Sequence, residues 1–274
     1  MDTTVKRILW SLSGNAPTQR LLEFGMNAAQ YLMGIGPGAS PAASGERVLA
    51  QLLRRGGSAD SPLCIFDVGA NQGQFALMMI RELQGTPCVI HSFEPGRETF
   101  AILERNTAAL SNVVRNNVGL GASGGEAELF YDFAGSGLAS LSKRRMDHFD
   151  VSFERSERVR IDTLDAYRAR LGVERIDLLK LDVEGHELQV LQGGSATFAE
   201  QRVDRVAFEF GGCNIDSRSF LQDFFYLFEQ HGFDRIYRIT PSGFLAHLPS
   251  YKEMYEQFRT TNFLAARKGV PLSR

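Results

Sequence analysis

The chain has 274 residues, 43% hydrophobic and 23% charged, with 30 Lys+Arg against 32 Asp+Glu and a net charge of −2. That length and composition describe a globular protein of one large or two small domains and exclude general disorder. The charge balance argues against a nucleic-acid binder that works by neutralising phosphates. Cys64, Cys88 and Cys213 are widely spaced, without a C-x-x-C pair, so a disulfide framework or zinc site is not expected and a reducing, cytoplasmic setting fits. No apolar stretch approaches the ~20 residues of a membrane span, and the run Ile8-Leu9-Trp10 is too short for a signal peptide.

Residues 1–61 read as an N-terminal helical annex and residues 62–274 as the main domain. Short amphipathic helices are predicted at 5–13 and 20–33, the second with Leu22, Met26, Ala29 and Met33 on one face. A Gly/Pro/Ala/Ser loop follows from Gly34 to Gly45, then a third helix at 46–55. These helices either pad the main domain or serve as a substrate lid, an oligomer contact or a membrane-surface element; a homo-oligomer stays open.

From Pro62 onward strands alternate with helices: strands at 64–68, 89–93 and 113–115, helices at 74–83 and 98–110. Apolar strands with helical crossovers predict a parallel sheet covered on both faces. Residues 126–131 and 158–161 alternate polar and apolar and read as an inserted hairpin. A helix at 163–171 presents Leu164, Tyr167 and Leu171 inward. Strands are expected at 177–181, 203–210, 234–239 and 262–266, with helices at 186–192 and 219–230. Phe220, Phe224, Phe225 and Phe228 are assigned to core packing, as is His91, and His231-Gly232 to a helix C-terminus.

The chemistry gathers at strand ends. Asp67-Val68-Gly69-Ala70-Asn71-Gln72-Gly73 carries a buried strand into a glycine turn and a helix. Gly69 lets backbone approach a ligand, Asn71 tolerates a left-handed conformation, and Gly73 allows tight packing at the helix start. The pattern is not G-x-G-x-x-G. Glu94-Pro95 ends the second strand, where a carboxylate can accept hydrogen bonds from ribose hydroxyls. Asp67 would lie near the phosphates of a dinucleotide and repel them. A cationic, phosphate-free nucleoside fits better, and S-adenosylmethionine is such a ligand.

The series Asp67-Val68-Gly69-Ala70-Asn71-Gln72-Gly73, Phe93-Glu94-Pro95 and Leu179-Lys180-Leu181-Asp182-Val183-Glu184-Gly185-His186-Glu187 resembles the FkbM family of S-adenosylmethionine-dependent methyltransferases. Thr163-Leu164-Asp165 and Thr261-Asn262-Phe263-Leu264-Ala265 extend the likeness, which covers roughly residues 62–267. His186 departs from it, because many members have a small residue there. The resemblance implies an α/β, Rossmann-like, seven-stranded methyltransferase sheet with the last strand antiparallel. It implies that Asp67, Gly69, Asn71 and Gly73 hold the methionine end of the cofactor, Glu94 the ribose, and Asn117 the adenine side. Characterised relatives mostly methylate hydroxyls of sugars and polyketides.

Methyl transfer to an alcohol needs alignment and removal of a proton. Asp182, Glu184 and His186 follow the fourth main strand and are the catalytic candidates, with Glu187 and Glu209 beside them. Asp182 could equally orient the cofactor amine. Glu184 and Gly185 could simply turn the chain, and Glu187 could charge a helix N-terminus. The carboxylates show no clear metal spacing, so no metal is expected. The sequence therefore predicts an O-methyltransferase of a small-molecule or glycan hydroxyl. A methyltransferase of another acceptor class and a nonenzymatic cofactor-binding partner stay open. The absence of an Asn/Asp-Pro-Pro-Tyr/Phe motif argues against methylation of nucleobase amines.

Overall fold

The computed structural model describes residues 2–36, 44–56 and 61–272; most of the predicted Gly/Pro/Ala/Ser loop lies outside them. Helix α1 (Thr3–Ser13) starts on Asp2, whose carboxylate accepts from the Thr4 N–H at 3.3 Å. Helix α2 (Ala16–Leu32) starts on Asn15, which accepts from the Thr18 N–H at 3.0 Å, with Pro in the first turn where a missing N–H costs nothing. The apolar stripe of α2 is not buried: Leu22, Met26 and Met33 are exposed, as are Phe24 and Leu32. Its C-terminal half meets the body of the protein, where Asn27 and Gln30 accept from Arg259. Helix α3 (Arg47–Gly56), read from sequence as part of the annex, packs on the body, with Leu49 and Leu53 buried beside Ile65 and Met79.

The first half of the main sheet is built from β1 (Leu63–Val68), α4 (Gln74–Glu82), β2 (Cys88–Phe93), α5 (Arg97–Thr107) and β3 (Val113–Asn116). β1 lies between β2 and a later strand, parallel to both. Both faces of β1 are covered, which is why its sequence is a continuous apolar run. Phe66 and Val68 face one core cluster and Leu63 and Ile65 the other. The chain then leaves the sheet through β4 (Gly119–Leu120), β5 (Gly125–Tyr131) and β6 (Arg155–Asp162), which form a separate three-stranded sheet in the order β4-β6-β5. β5 and β6 are the predicted antiparallel hairpin, extended at both strands.

Helix α6 (Leu164–Leu171) is capped by Thr163, whose hydroxyl accepts from the Ala166 N–H at 3.1 Å. Its Leu164 and Tyr167 are buried, but Leu171 is exposed at the helix end, against expectation. The remaining elements are β7 (Leu178–Leu181), α7 (Glu187–Gln192), α8 (Ser195–Ala199), β8 (Arg205–Phe210), α9 (Cys213–Ser217), α10 (Leu221–Gln230), β9 (Phe233–Ile239), β10 (Leu245–Leu248) and β11 (Thr261–Arg267). Phe224, Phe225 and Phe228 of α10 are buried; Phe220 sits before its first turn and is half exposed, so it does not join the core.

The main sheet runs β10-β9-β11-β8-β7-β1-β2-β3. β11 is antiparallel to both β8 and β9, as the last strand should be. The difference from the expected seven is β10, an eighth strand paired antiparallel at the edge of β9 through a turn at Thr240 and Gly243. It is short and half solvated, so it leaves little hydrophobic pattern. Among the described residues no helix is long and apolar enough to cross a membrane.

Candidate active site

The C-terminal ends of β1, β2, β7 and β8 converge on a cavity of about 350 Å³, the edge at which open α/β sheets place ligands. Gly69, Asn71, Glu94, Asp182, Glu184, His186 and Glu209 line it, and residues 136–141 of the segment between β5 and β6 close it from above. At Gly69 the backbone has φ +81°, and a Cβ would stand 1.8 Å from the Asp182 carbonyl oxygen, so the β1 turn and the β7 end touch through backbone alone. The N–H groups of Gly69 and Ala70 both donate to the Phe93 carbonyl, at 3.0 and 2.9 Å.

Asn71, at φ +47°, donates its backbone N–H to Glu94 Oε2 at 3.1 Å. Glu94 Oε1 accepts from the Gly96 N–H at 2.9 Å. Burial pushes the Glu94 carboxyl up to about 7, with these two hydrogen bonds working the other way. The Asn71 side-chain oxygen is buried with no hydrogen-bond partner among the described residues. Gly137 lies over the Asn71 amide so closely that a Cβ there would be 2.7 Å from Nδ2. Gln72 holds the same loop, donating to the Gly135 carbonyl at 3.3 Å.

Three predicted ligand contacts sit elsewhere. Asp67 is fully buried behind the cavity and pairs with Lys180 Nζ at 3.6 Å; burial raises its pKa to about 6 although Lys180 opposes this. Gly73 heads α4 and packs against Leu103 and Thr107 of α5. Asn117 spends its amide on the Glu94 and Pro95 carbonyls, both at 3.0 Å, and lines a different cavity with Arg160 and Tyr167.

The acidic half of the site hangs on Lys180. Its ammonium reaches Asp182 Oδ2 at 3.1 Å and lies 5.0 Å from the centre of the Phe75 ring. Burial works against its charge, yet Asp182, Asp67 and Glu46 outweigh burial and hold its pKa above the usual lysine value. Glu184 takes φ +52° in the turn after β7. Its carboxylate meets Arg144 at 2.6 Å and its carbonyl accepts from the Ser140 hydroxyl at 2.8 Å. Burial and then the Asp182 charge push Glu184 up to about 8 despite Arg144. Glu209 faces the same cavity, and burial followed by Asp182, Glu184 and Glu187 raises it well above the ordinary carboxylate range.

His186 stands at the N-cap of α7; its Nδ1 is buried with no partner among the described residues, and burial lowers its pKa. Glu187 is buried away from the cavity and accepts from the Val183 and Gly185 N–H groups at 3.0 and 3.1 Å. It holds the turn that presents Glu184 and His186. Sequence reading did not single out Arg144, Ser140 or Lys180. Arg144 stands in the run Lys143-Arg144-Arg145, and nothing in that run distinguishes the one residue that turns inward.

Among the described residues one group brings three potential metal ligands together: Glu184, Glu209 and Cys213 have ligand atoms within 4.8 Å of one another. Burial, then Glu187, Glu184 and Glu209, pushes the Cys213 thiol well above its ordinary value, so it is a poor thiolate ligand. Glu184 is already bonded to Arg144.

The family model described as "Methyltransferase FkbM domain" matches residues 67–235. "Methyltransferase sdnD" of Sordaria araneosa is 35% identical over 155 residues, 47% of this chain and 59% of that protein. "Hexuronic acid methyltransferase AglP" of Haloferax volcanii is 31% identical over 166 residues, 60% of this chain and 62% of that protein. The chain thus spans about three fifths of the length of these curated relatives. A crystal structure of a methyltransferase FkbM from Methylobacillus flagellatus KT superposes with a TM-score of 0.44 at 16% identity, covering 75% of this chain and 44% of that one. The matched domain takes up more than half of the sequence, from the end of β1 to the start of β9, and the chain belongs to the FkbM methyltransferase domain family.

Proposed function

We propose that this chain is an S-adenosylmethionine-dependent O-methyltransferase acting on a hydroxyl of a carbohydrate or polyketide-like natural product. The observation that carries the reading is the lining of the cavity. Four carboxyl groups, Glu94, Asp182, Glu184 and Glu209, face it, and no lysine or arginine does among the described lining residues, with Lys180 and Arg144 held against Asp182 and Glu184. Such a lining offers acceptors for hydroxyl and ammonium groups and no cation to hold a pyrophosphate, which suits a phosphate-free sulfonium nucleoside better than a dinucleotide.

The residues present fit that cofactor. Glu94 has a free lone pair on each oxygen after its two backbone bonds, enough for two ribose hydroxyls. The unpartnered Asn71 oxygen and the Asp182 carboxylate offer acceptors to an ammonium group. S-adenosylmethionine, when bound, supplies an activated methyl on a sulfur leaving group. The chain has to hold the acceptor in line and take its proton. Asp182 is the proposed essential acid group beside the methyl. His186, with its pKa lowered by burial and its Nδ1 without a partner among the described residues, is the assisting base. Asp67, Gly73 and Asn117 support the site from behind rather than by contact with a ligand.

The relative named as a hexuronic acid methyltransferase favours a carbohydrate acceptor. The free Cys64, Cys88 and Cys213 fit a cytoplasmic setting, and the net charge of −2 fits a small-molecule or glycan partner rather than nucleic acid. Titration of the chain with S-adenosylhomocysteine, NAD and ATP tests the cofactor. One-site binding of the first and weak binding of the others is expected; tight NAD binding would sink the reading. A panel of sugar and polyketide hydroxyl acceptors, assayed for S-adenosylhomocysteine release, tests the acceptor. Binding without turnover on any of them would favour a regulatory, nonenzymatic role.

A further inference from the structure

A second cavity, of about 310 Å³, lies between α2 and the sheet. Its walls are apolar: Met26 and Met33 from the helix, and Phe210, Leu248 and Phe263 from the strands. It adjoins the first cavity, because Ile35, Phe210 and Thr261 line one while their chain neighbours Gly36, Glu209 and Thr260 line the other. In this apolar setting stands one charge, Arg238 of β9, opposite Phe263 in the strand register. Its guanidinium has no hydrogen-bond or ion-pair partner among the described residues, and its Nε is wholly shielded.

Arg238 is half-buried: its Nε is shielded while its terminal nitrogens are not, so the guanidinium has lost part of its water and gained no partner among the described residues in return. Burial lowers the pKa of Arg238, but an arginine does not shed its proton in a protein. An anion is the partner that would complete its pairing. On the rim, Gln30 donates to Gln257 at 2.6 Å and accepts from Arg259, and the Thr261 hydroxyl donates to the Arg259 carbonyl at 2.7 Å. The two methionines give an adaptable wall for an apolar body.

We propose that this second cavity binds an amphiphile with an apolar body and a single carboxylate, the carboxylate pairing with Arg238 and the apolar part lying against Met26, Met33, Leu248 and Phe263. A planar guanidinium matches a carboxylate in two parallel hydrogen bonds, and the cavity is of small-ligand size.

Calorimetric titration with decanoate and with decanol, below micelle-forming concentrations, tests the site. Decanoate is expected to bind once per chain, at least tenfold tighter than decanol. Arg238→Gln should remove that preference and leave decanol binding within threefold. Met33→Trp, which fills the cavity from an exposed helix end, should abolish binding of both. Saturation with S-adenosylhomocysteine should leave decanoate binding within threefold, since the two cavities are distinct. Circular dichroism checks that both variants are folded. Equal affinities for decanoate and decanol in the wild type, a preference that survives Arg238→Gln, or displacement of decanoate by S-adenosylhomocysteine would each overturn the proposal. A chain that binds decanoate but not S-adenosylhomocysteine would sink the methyltransferase reading and leave this site standing.

Discussion

The backbone N–H of Asn71 and the side chain of Glu94 share a 3.1 Å hydrogen bond, so the turn after β1 and the end of β2 move as one piece. Glu94 therefore has two duties, to shape the turn and to face the cavity.

Replacing Glu94 with Ala is expected to weaken S-adenosylhomocysteine binding by roughly 1–3 kcal/mol, the scale of lost charge-assisted hydrogen bonds. Glu94→Gln keeps the shape and one acceptor and should fall between. Because burial holds the Glu94 pKa at about 7, its ionised form gains population as the pH rises through that value. Wild-type affinity for S-adenosylmethionine should then increase from pH 6 to pH 8. Calorimetry at three pH values measures it, and a flat profile would remove Glu94 from the ribose.

Asp182→Asn preserves volume and removes the charge beside Lys180. Turnover is expected to drop by about 10²–10⁴-fold, the contribution of a positioned acid–base group, with a small change in melting temperature. His186→Ala should lower turnover by a similar factor only if the histidine takes the proton. Burial keeps its pKa below the ordinary 6.5, so the wild-type rate should fall only on the acid side of that value. The variant should lose that acid limb. Near-normal turnover in both variants would move the base to Glu209 or to solvent.

Seven carboxyls have their pKa raised on folding. Asp67 goes to about 6, Glu94 and Glu187 to about 7 and Glu184 to about 8, and Glu46, Asp177 and Glu209 go the same way, burial leading in each. A carboxyl whose folded pKa is raised binds more protons in the native state, so its stabilisation is full below the unfolded value and is lost as pH climbs through the folded one. The lowered pKa values of His91 and His186 act oppositely, but they are fewer. The melting temperature should thus decline between about pH 5 and pH 8. Scanning calorimetry checks the sign, and a rise over that interval would contradict it.

Metal removal gives a further test. With Glu184 paired to Arg144 and the Cys213 thiol held protonated by its surroundings, the Glu184–Glu209–Cys213 group is a poor cation cage. Dialysis against a chelator should leave turnover within about twofold, a smaller change than loss of a catalytic metal would produce. Loss restored by a divalent cation would refute this.

Sequence patterning read the sheet well where strands are buried on both faces. β1, β2, β7 and β8 are apolar runs with no alternative use, and their ends carry Asn71, Glu94, Asp182 and Glu209 to the same cavity. It read less well where one face meets solvent. The stripe of α2 identified a helix but not its partner, and Phe220 and Leu171 fell one step outside the core because helix ends turn away from it. β10 escaped notice as a half-solvated edge strand. Asn117 follows β3, and the direction of its amide depends on the Glu94 and Pro95 carbonyls, a tertiary fact. Arg144 was out of reach for the same reason.

The segment that closes the first cavity is tied to the main domain through side chains and turns: Gln72 to Gly135, Ser140 to the Glu184 carbonyl, Arg144 to the Glu184 carboxylate and the Arg145 N–H to Asp216, with a backbone pair between Ser140 and Phe130 at its root. It lies outside the main sheet, between β5 and β6. Residues 132–145 thus form a roof outside the sheet, while the backbone positions of Gly69, Asn71 and Glu94 are set by β1, β2 and the bonds between them. A lineage could change what fits beneath that roof by rewriting one insertion while the floor is inherited intact.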